Sequence, residues 1–514
     1  MLTFLKTKAI FGFFIFYLLL GVLIFRDYGF TWDDQLSRLN GIMAFDYIAG
    51  ANSNLLTYVD RDYGTAFELP LVVIEKALHL TSTQQIFFMR YFVTFLFYFV
   101  GTIFFYLLAR KRFGNLFGFL GLIFLILSPR IFADSFYNSK DIGLLSIFTI
   151  AIFTMKYFLD HPTWRSGIVH GLICALVVDI RMPGVIILGL TFGFLLLDAF
   201  FLKKNNWKSL SKPFLLFLAS FGIFTILFWP YLWLNPVGNF LQAFSNLSHF
   251  VRWDDTVLYL GKFVKAAHDL PWHYSLVWIS ITTPLTYLIF FAIGVVAIIL
   301  RFAKKPLAFY GKHRDDLIFI SWFVLPLLSV IVLHSVIYDG WRQLYFIYPA
   351  LILISLIGME YSFNLFKKSN IGLYFKIIIV TFILINLSNV LFFMIMYHPY
   401  QNLYFNALAG GIKNAKKNFE LDYYGTTFRK GLEYIVATDA SEKMSVFFSH
   451  GIQNNIDMLS EENKKRFVPL AQPNGAKYIL TNYRWHPQDY SPDYNKVYEI
   501  TIDGVSVMSV FKFY

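Results

Sequence analysis

The stretch Ile377–Tyr397, IIIVTFILINLSNVLFFMIMY, carries no charged side chain over 21 residues. At 1.5 Å per residue a helix of that length crosses the roughly 30 Å hydrocarbon layer of a bilayer. Phe11–Phe25 and Phe92–Ala109 are likewise free of charge. Working outward from these, the spans are expected near Ala9–Phe25, Ile86–Ala109, Phe113–Leu127, Ile142–Leu159, Ser166–Ile180 and Val185–Leu202. Further spans are expected near Phe214–Leu234, Leu276–Leu300, Leu317–Val336, Tyr345–Met359 and Ile377–Tyr397, about eleven in all. Charged residues make up 15% of the 514-residue chain and hydrophobic ones 57%. A soluble chain carries about 25% charge, and a soluble protein with apolar core helices does not account for so many recurring runs. The first run is too long for a signal-peptide core and lacks a small-x-small cleavage site, so it is read as an uncleaved span.

The net charge of +12 invites a nucleic-acid reading, but the placement of the basic residues excludes it. They cluster between spans: Lys6/Lys8, Arg110–Arg112, Lys156/Arg165, Lys203/Lys204/Lys208/Lys212, Arg301/Lys304/Lys305/Lys312/Arg314 and Lys367/Lys368. With the N-terminus cytoplasmic, all of them fall on the cytoplasmic side. Cys174 is the single cysteine, so no intramolecular disulfide forms.

The outward segments differ in kind. Arg26–Gln85 holds two amphipathic helical patterns, Asp33–Ala49 and Glu68–Leu80, the second with Pro70 in its first turn. Asn235–Ser275 is a second long segment, and loops of such length are usually functional or fold separately. From His398 the chain turns polar. A helix near Phe428–Ala437 precedes strand patterns at Met444–Phe448, Lys477–Thr481, Lys496–Ile502 and Val505–Phe513, the last two joined by the hairpin pair Asp503–Gly504. The expected fold is an all-α polytopic membrane domain, residues 1–397, followed by a small extracytoplasmic α/β domain, residues 398–514.

Chemistry-capable residues gather in the outward loops. Asp33 and Asp34 are adjacent carboxylates that repel, which suits a general base or a ligand for Mg or Mn. They equally suit a helix N-terminus. Ser128–Asp141 places Arg130, Asp134, Asn138, Lys140 and Asp141 in one short turn; a cap at Ser139 accounts for Asp141 but not for Arg130 and Asp134. Glu68 adds a carboxylate. Arg181 and Arg342 sit at span ends, where arginine either snorkels or clamps a phosphate bidentately. His268, with Asp269 and His273 nearby, offers a metal ligand or only a hydrogen-bonded ring. The loop aromatics Trp32, Tyr63, Trp253, Trp272, Tyr274 and Trp341 suit an interfacial belt. No nucleotide loop, zinc-protease helix or Cys-rich metal site is present.

Together these features resemble the GT-C superfamily of membrane glycosyltransferases. The chain is most similar to bacterial relatives of dolichyl-phosphate-mannose protein mannosyltransferases and of aminoarabinose lipid A transferases. The resemblance is carried by Thr31–Asp34, Tyr63–Pro70, Ser128–Asp141, Leu270–Tyr274, Tyr338–Arg342 and His398–Phe405. It implies a GT-C fold in the inner membrane and inverting transfer of a sugar from a polyprenyl-phosphate carrier to a glycan, lipid or protein hydroxyl on the outer face. Asp33 is then the base or its metal partner. Asp34 stands where relatives more often have Glu, and Gln343 where they often have His. Glu68, Arg130, Asp134, Lys140, Asp141, Arg181 and Arg342 are expected to line the site, with Asp33 and His268 as metal candidates. A transporter or flippase of lipid-linked sugars is the alternative, but it usually keeps ionisable groups near mid-membrane and repeats its halves. Neither feature is evident here.

Overall fold

The computed structural model describes residues 2–202, 207–248, 253, 255–365, 372–449, 453–491 and 493–513. Lys203, Lys204, Lys367 and Lys368, expected in two of the basic clusters, lie outside the described residues. Among the described residues, eight helices are long and apolar enough to cross a membrane. The chain is a multi-pass membrane protein.

The expectation of about eleven spans reconciles with eight at identifiable residues. Lys8–Ile24 and Trp164–Ile180 are helical and apolar but shorter than the others. Thr83–Ile126 contains two of the expected spans: Gly114 has φ +82° and ψ 176°, which no helical residue adopts. The chain folds back there, and the Tyr98 hydroxyl donates to the Leu125 carbonyl at 3.4 Å across the hairpin.

One expected span needs correction. Leu276–Leu300 is not continuous but divides into Tyr274–Thr282 and Leu285–Lys304. Pro284 has no N–H to donate and forces the residue before it out of the helical region; Thr283 sits at φ −95°, ψ 138°. Asn406 covers the break. Its side-chain amide donates to the carbonyls of Ser280 and Thr283, each at 2.6 Å, and its backbone N–H donates to Ile281.

Both amphipathic patterns of the first loop are helices, Trp32–Ile48 and Glu68–Ala77. Arg38 forks onto Glu75 at 2.9 and 2.6 Å and joins them. Gly64, ahead of the second helix, lies against the Asp179 backbone, where a Cβ would overlap the carbonyl. The Thr65 N–H donates to the Asp179 carboxylate at 2.9 Å. A small antiparallel pair, β1 (Thr256–Tyr259) and β2 (Lys262–Lys265), follows in the second long loop.

The tail carries a five-stranded sheet built from β3 (Met444–Phe448), β4 (Phe467–Pro469), β5 (Tyr478–Thr481), β6 (Lys496–Ile502) and β7 (Val505–Lys512), in the order β4-β3-β5-β7-β6. β3 runs parallel to β4 and β5; β7 is antiparallel to β5 and β6. Both Asp503 and Gly504 have positive φ, the turn expected from that dipeptide. Helix Phe428–Thr438 packs on the sheet, with Gly431 over the side chains of Leu480, Met508 and Val510. The tail also grips the bundle directly. The Asn455 side chain pairs with both backbone groups of Phe30 and with the Gly425 carbonyl, and Arg429 donates to the carbonyls of Arg26 and Tyr28. Apolar packing is continuous from bundle to tail.

Candidate active site

The helix beginning at Trp32 separates the two adjacent aspartates, because neighbouring helical side chains point about 100° apart. Asp34 turns inward. It accepts the Thr31 N–H at 2.8 Å, the return arm of a capping box, and the Tyr91 hydroxyl at 2.6 Å. Burial pushes its carboxyl up to about 7, against the pull of these bonds and of Arg90. Asp33 turns toward Arg342, whose Nη1 donates to it at 2.6 Å. Burial favours the neutral acid, but the charges of Arg342, Lys140 and Arg181 outweigh it and hold Asp33 below its usual range. Helix capping, one open reading of the pair, thus falls to Asp34, while Asp33 is left facing the arginine.

Arg342 is the centre of an ion network. The same Nη1 donates to Asp141 at 3.3 Å and Nη2 to Asp339 at 3.0 Å, while the guanidinium lies 5.3 Å from the ring centres of Tyr338 and Tyr424. Asp141 also pairs with Arg181 and accepts from Asn138 at 3.0 Å. Asn138, rather than Ser139, is the cap of helix Ser139–Asp160, accepting the Asp141 N–H. Exposure distinguishes the carboxylates: Asp141 is fully buried and Asp339 10% exposed, whereas Asp33 keeps 31% of its side chain open. Asp33 is the member of the network that a bound molecule can reach.

Other expected residues flank this network. Asp134 accepts the Tyr137 hydroxyl at 2.8 Å and the Asn138 amide at 3.3 Å, and burial pushes its carboxyl up to about 6. Glu68 pairs with Arg90 and accepts the Ser139 hydroxyl at 2.5 Å. Lys140 lies 4.6 Å from the Tyr63 ring centre and forms no ion pair with any described carboxylate.

Arg130 is placed elsewhere. Its Nε donates to the Tyr404 carbonyl at 3.1 Å, and its guanidinium lies 4.5 Å from the Phe405 ring centre and 5.3 Å from that of Trp278. It anchors the chain leaving the last span instead of joining Arg342. Among the described residues no three His, Cys, Asp or Glu side chains are grouped for a metal, and Asp33 and Asp141 already face guanidinium groups. His268 instead sits in the turn following β2, its N–H donating to the Lys265 carbonyl.

Three further site residues come from outside the expected set. Asp339, Glu420 and Arg484 form a second ionic chain leading away from Arg342: Arg484 donates to Asp339 at 2.5 Å and to Glu420 at 2.9 Å. Asp339 was visible beside Gly340 in the Tyr338–Arg342 motif. No local signal marked Glu420 or Arg484. Beside the network an apolar cavity of about 270 Å³ runs along Val185, Val330 and Phe346, with Arg181, Tyr63 and Tyr338 at its polar wall.

Residues 77–233 match the family model described as dolichyl-phosphate-mannose-protein mannosyltransferase. The chain shares its fold with apo ArnT from Cupriavidus metallidurans, with 13% identity, 98% of each chain covered and a TM-score of 0.50. The same protein bound to undecaprenyl phosphate aligns at 12% identity over 97% of this chain and 98% of that one, TM-score 0.48. The apo oligosaccharyltransferase of Archaeoglobus fulgidus aligns at 12% identity and TM-score 0.49 over 81% of this chain, which spans 57% of that protein's length. No curated protein matches the chain. The family match and the ArnT fold bear out the GT-C resemblance drawn from the loop motifs.

Proposed function

We propose that this protein is an inverting glycosyltransferase that takes a sugar from a polyprenyl-phosphate carrier and attaches it to a hydroxyl of a glycan, lipid or protein. The observation that carries the reading is the partly open Asp33 carboxylate, held by Arg342 under the charges of Lys140 and Arg181, the last of which also lines an apolar cavity. An isoprenoid tail fits the apolar wall and its phosphate the cationic rim. The carrier brings its own leaving group, so no nucleotide pocket is needed. The site lies outside the cytoplasm, with the N-terminus inside and the bundle in the inner membrane; the distribution of basic loops supports this orientation.

Each step falls to residues in place. Asp33 takes the acceptor hydroxyl proton as the acceptor oxygen bonds to the anomeric carbon. The bond from that carbon to the phosphate oxygen breaks on the opposite face, and the polyprenyl phosphate leaves with the electron pair. Lys140, Arg181 and Arg342 stabilise the charge it gains. An anion arriving beside Arg342 also divides the arginine's hold on Asp33 and raises the carboxylate's proton affinity when a base is required. Asp34 supports the helix that presents Asp33. Glu68 and Asp134 shape the flanks.

Purified protein in detergent, where transport is impossible, tests the proposal with a polyprenyl-phosphate sugar as donor. The wild type should release polyprenyl phosphate, and Asp33→Asn should lose about 10³-fold or more of that rate while still inserting and folding. Full turnover by Asp33→Asn would remove Asp33 from the mechanism.

A further inference from the structure

Arg342 is shared by three carboxylates, so its position depends on how strongly each one pulls. Its Nη1 faces Asp33 and Asp141, its Nη2 faces Asp339. Asp339 is itself shared, with Oδ2 facing Arg342 at 3.0 Å and Oδ1 facing Arg484 at 2.5 Å. The segment Asp339–Gly340 is held in the left-handed region, φ +56° and +74°. Aspartate tolerates that conformation better than most residues, and there its carboxylate stands between the two guanidinium groups.

Arg484 comes from the loop after β5. Its Nε donates to Glu420 at 2.9 Å and its Nη1 to the Tyr423 carbonyl at 2.9 Å, both within the tail. Only Nη2 leaves the tail, and it reaches Asp339. The side chains of Arg484, Asp339 and Glu420 are 4%, 10% and 0% exposed, so water screens none of them well. We propose that Arg484 is a positioning residue for the reaction, setting through Asp339 where Arg342 holds Asp33; this rests on the reading of Asp33 given above. Without Arg484, Asp339 keeps its charge but loses its second partner. Arg342 is then drawn toward Asp339 and away from Asp33 and Asp141, and a displacement of about 1 Å at a reacting group can cost about 10²-fold in rate.

A plain salt bridge that docks the tail would behave differently, and variants of the full-length protein separate the two. With polyprenyl-phosphate sugar as donor, Arg484→Gln should lower kcat about 10- to 100-fold with donor KM within about threefold of wild type. Arg484→Lys, which keeps the charge, should recover most of the loss. Asp339→Asn removes the pull that Arg484 balances, so adding Arg484→Gln to it should cost little more; such non-additivity marks residues acting through one another. Tyr397→Phe loosens tail docking at the Asp503 turn, away from the network, and should leave kcat near wild type.

An unchanged kcat in Arg484→Gln, or an equal loss in Tyr397→Phe, would overturn the positioning role. If Arg484→Gln fails to fold, the double variant Asp339→Asn/Arg484→Gln is compared with Asp339→Asn alone, and a further loss of about tenfold or more in kcat overturns it. The Asp33 reading fails separately. If Asp33→Asn is inactive while Arg484→Gln behaves as wild type, only the link through Arg484 is lost.

Discussion

Two adjacent carboxylates acquire opposite protonation behaviour from one turn of helix. Asp33 is held below the ordinary carboxylate range by Arg342 and Lys140, and so is ionised at neutral pH. Asp34, buried against Tyr91, is raised to about 7. Between its ordinary value and about 7 the folded protein keeps a proton that the unfolded chain has released. The stability this contributes is complete at acid pH and is lost as pH rises through about 7. Asparagine imitates the protonated form and can accept both hydrogen bonds. Asp34→Asn should therefore flatten the pH dependence, its melting temperature gaining on wild type from pH 4 to pH 8. A constant difference across that range would show that Asp34 does not titrate there. Asp34→Ala, which leaves the Thr31 N–H and the Tyr91 hydroxyl without acceptors, should instead cost about 1–3 kcal/mol.

Helices and turns were legible where one physical rule dominates. Uncharged runs mark the spans, and Arg110–Arg112 mark the reversal that Gly114 makes. The break at Thr283–Pro284 was not legible. Flanking residues carry no charge, and the groups that satisfy its carbonyls belong to Asn406, more than a hundred positions away. Asn406→Ala should strand those carbonyls and cost about 1–3 kcal/mol, read by thermal unfolding in detergent. Gly64 makes a stricter demand: a methyl group there overlaps the Asp179 carbonyl. Gly64→Ala should lose about 3 kcal/mol or the fold outright, measured the same way. A melting temperature like wild type would show that the first loop can move off the bundle.

At the scale of the whole molecule, bundle and tail share one core and one site. Loop parity was enough to bring Asp33, Asp141, Arg181 and Arg342 to the same end of the bundle, because alternation across a membrane is a one-bit rule. It could not separate Arg130, which shares a loop with Asp141 but packs against Phe405 and Trp278. Nor could it supply Glu420 and Arg484, whose place depends on how the tail sheet docks. Asn455 is one polar pin of that docking, beside Arg429. Asn455→Ala should open the tail locally, speeding hydrogen exchange around Gly425–Phe428 about tenfold while span protection is unchanged. Equal protection in both proteins would assign the docking to apolar packing and the remaining polar contacts, such as those of Arg429.

The ionic chain Asp33–Arg342–Asp339–Arg484 joins residues 309 and 145 positions apart. During synthesis Asp33 emerges first and Arg484 long after the last span has been inserted. A nascent bundle already in the bilayer thus holds Asp33 and Arg342 but lacks the partner that balances Asp339. On the positioning role proposed for Arg484, Arg342 takes its working place only when the tail has folded against the bundle, so the last part of the chain to be made completes the setting of one of the first.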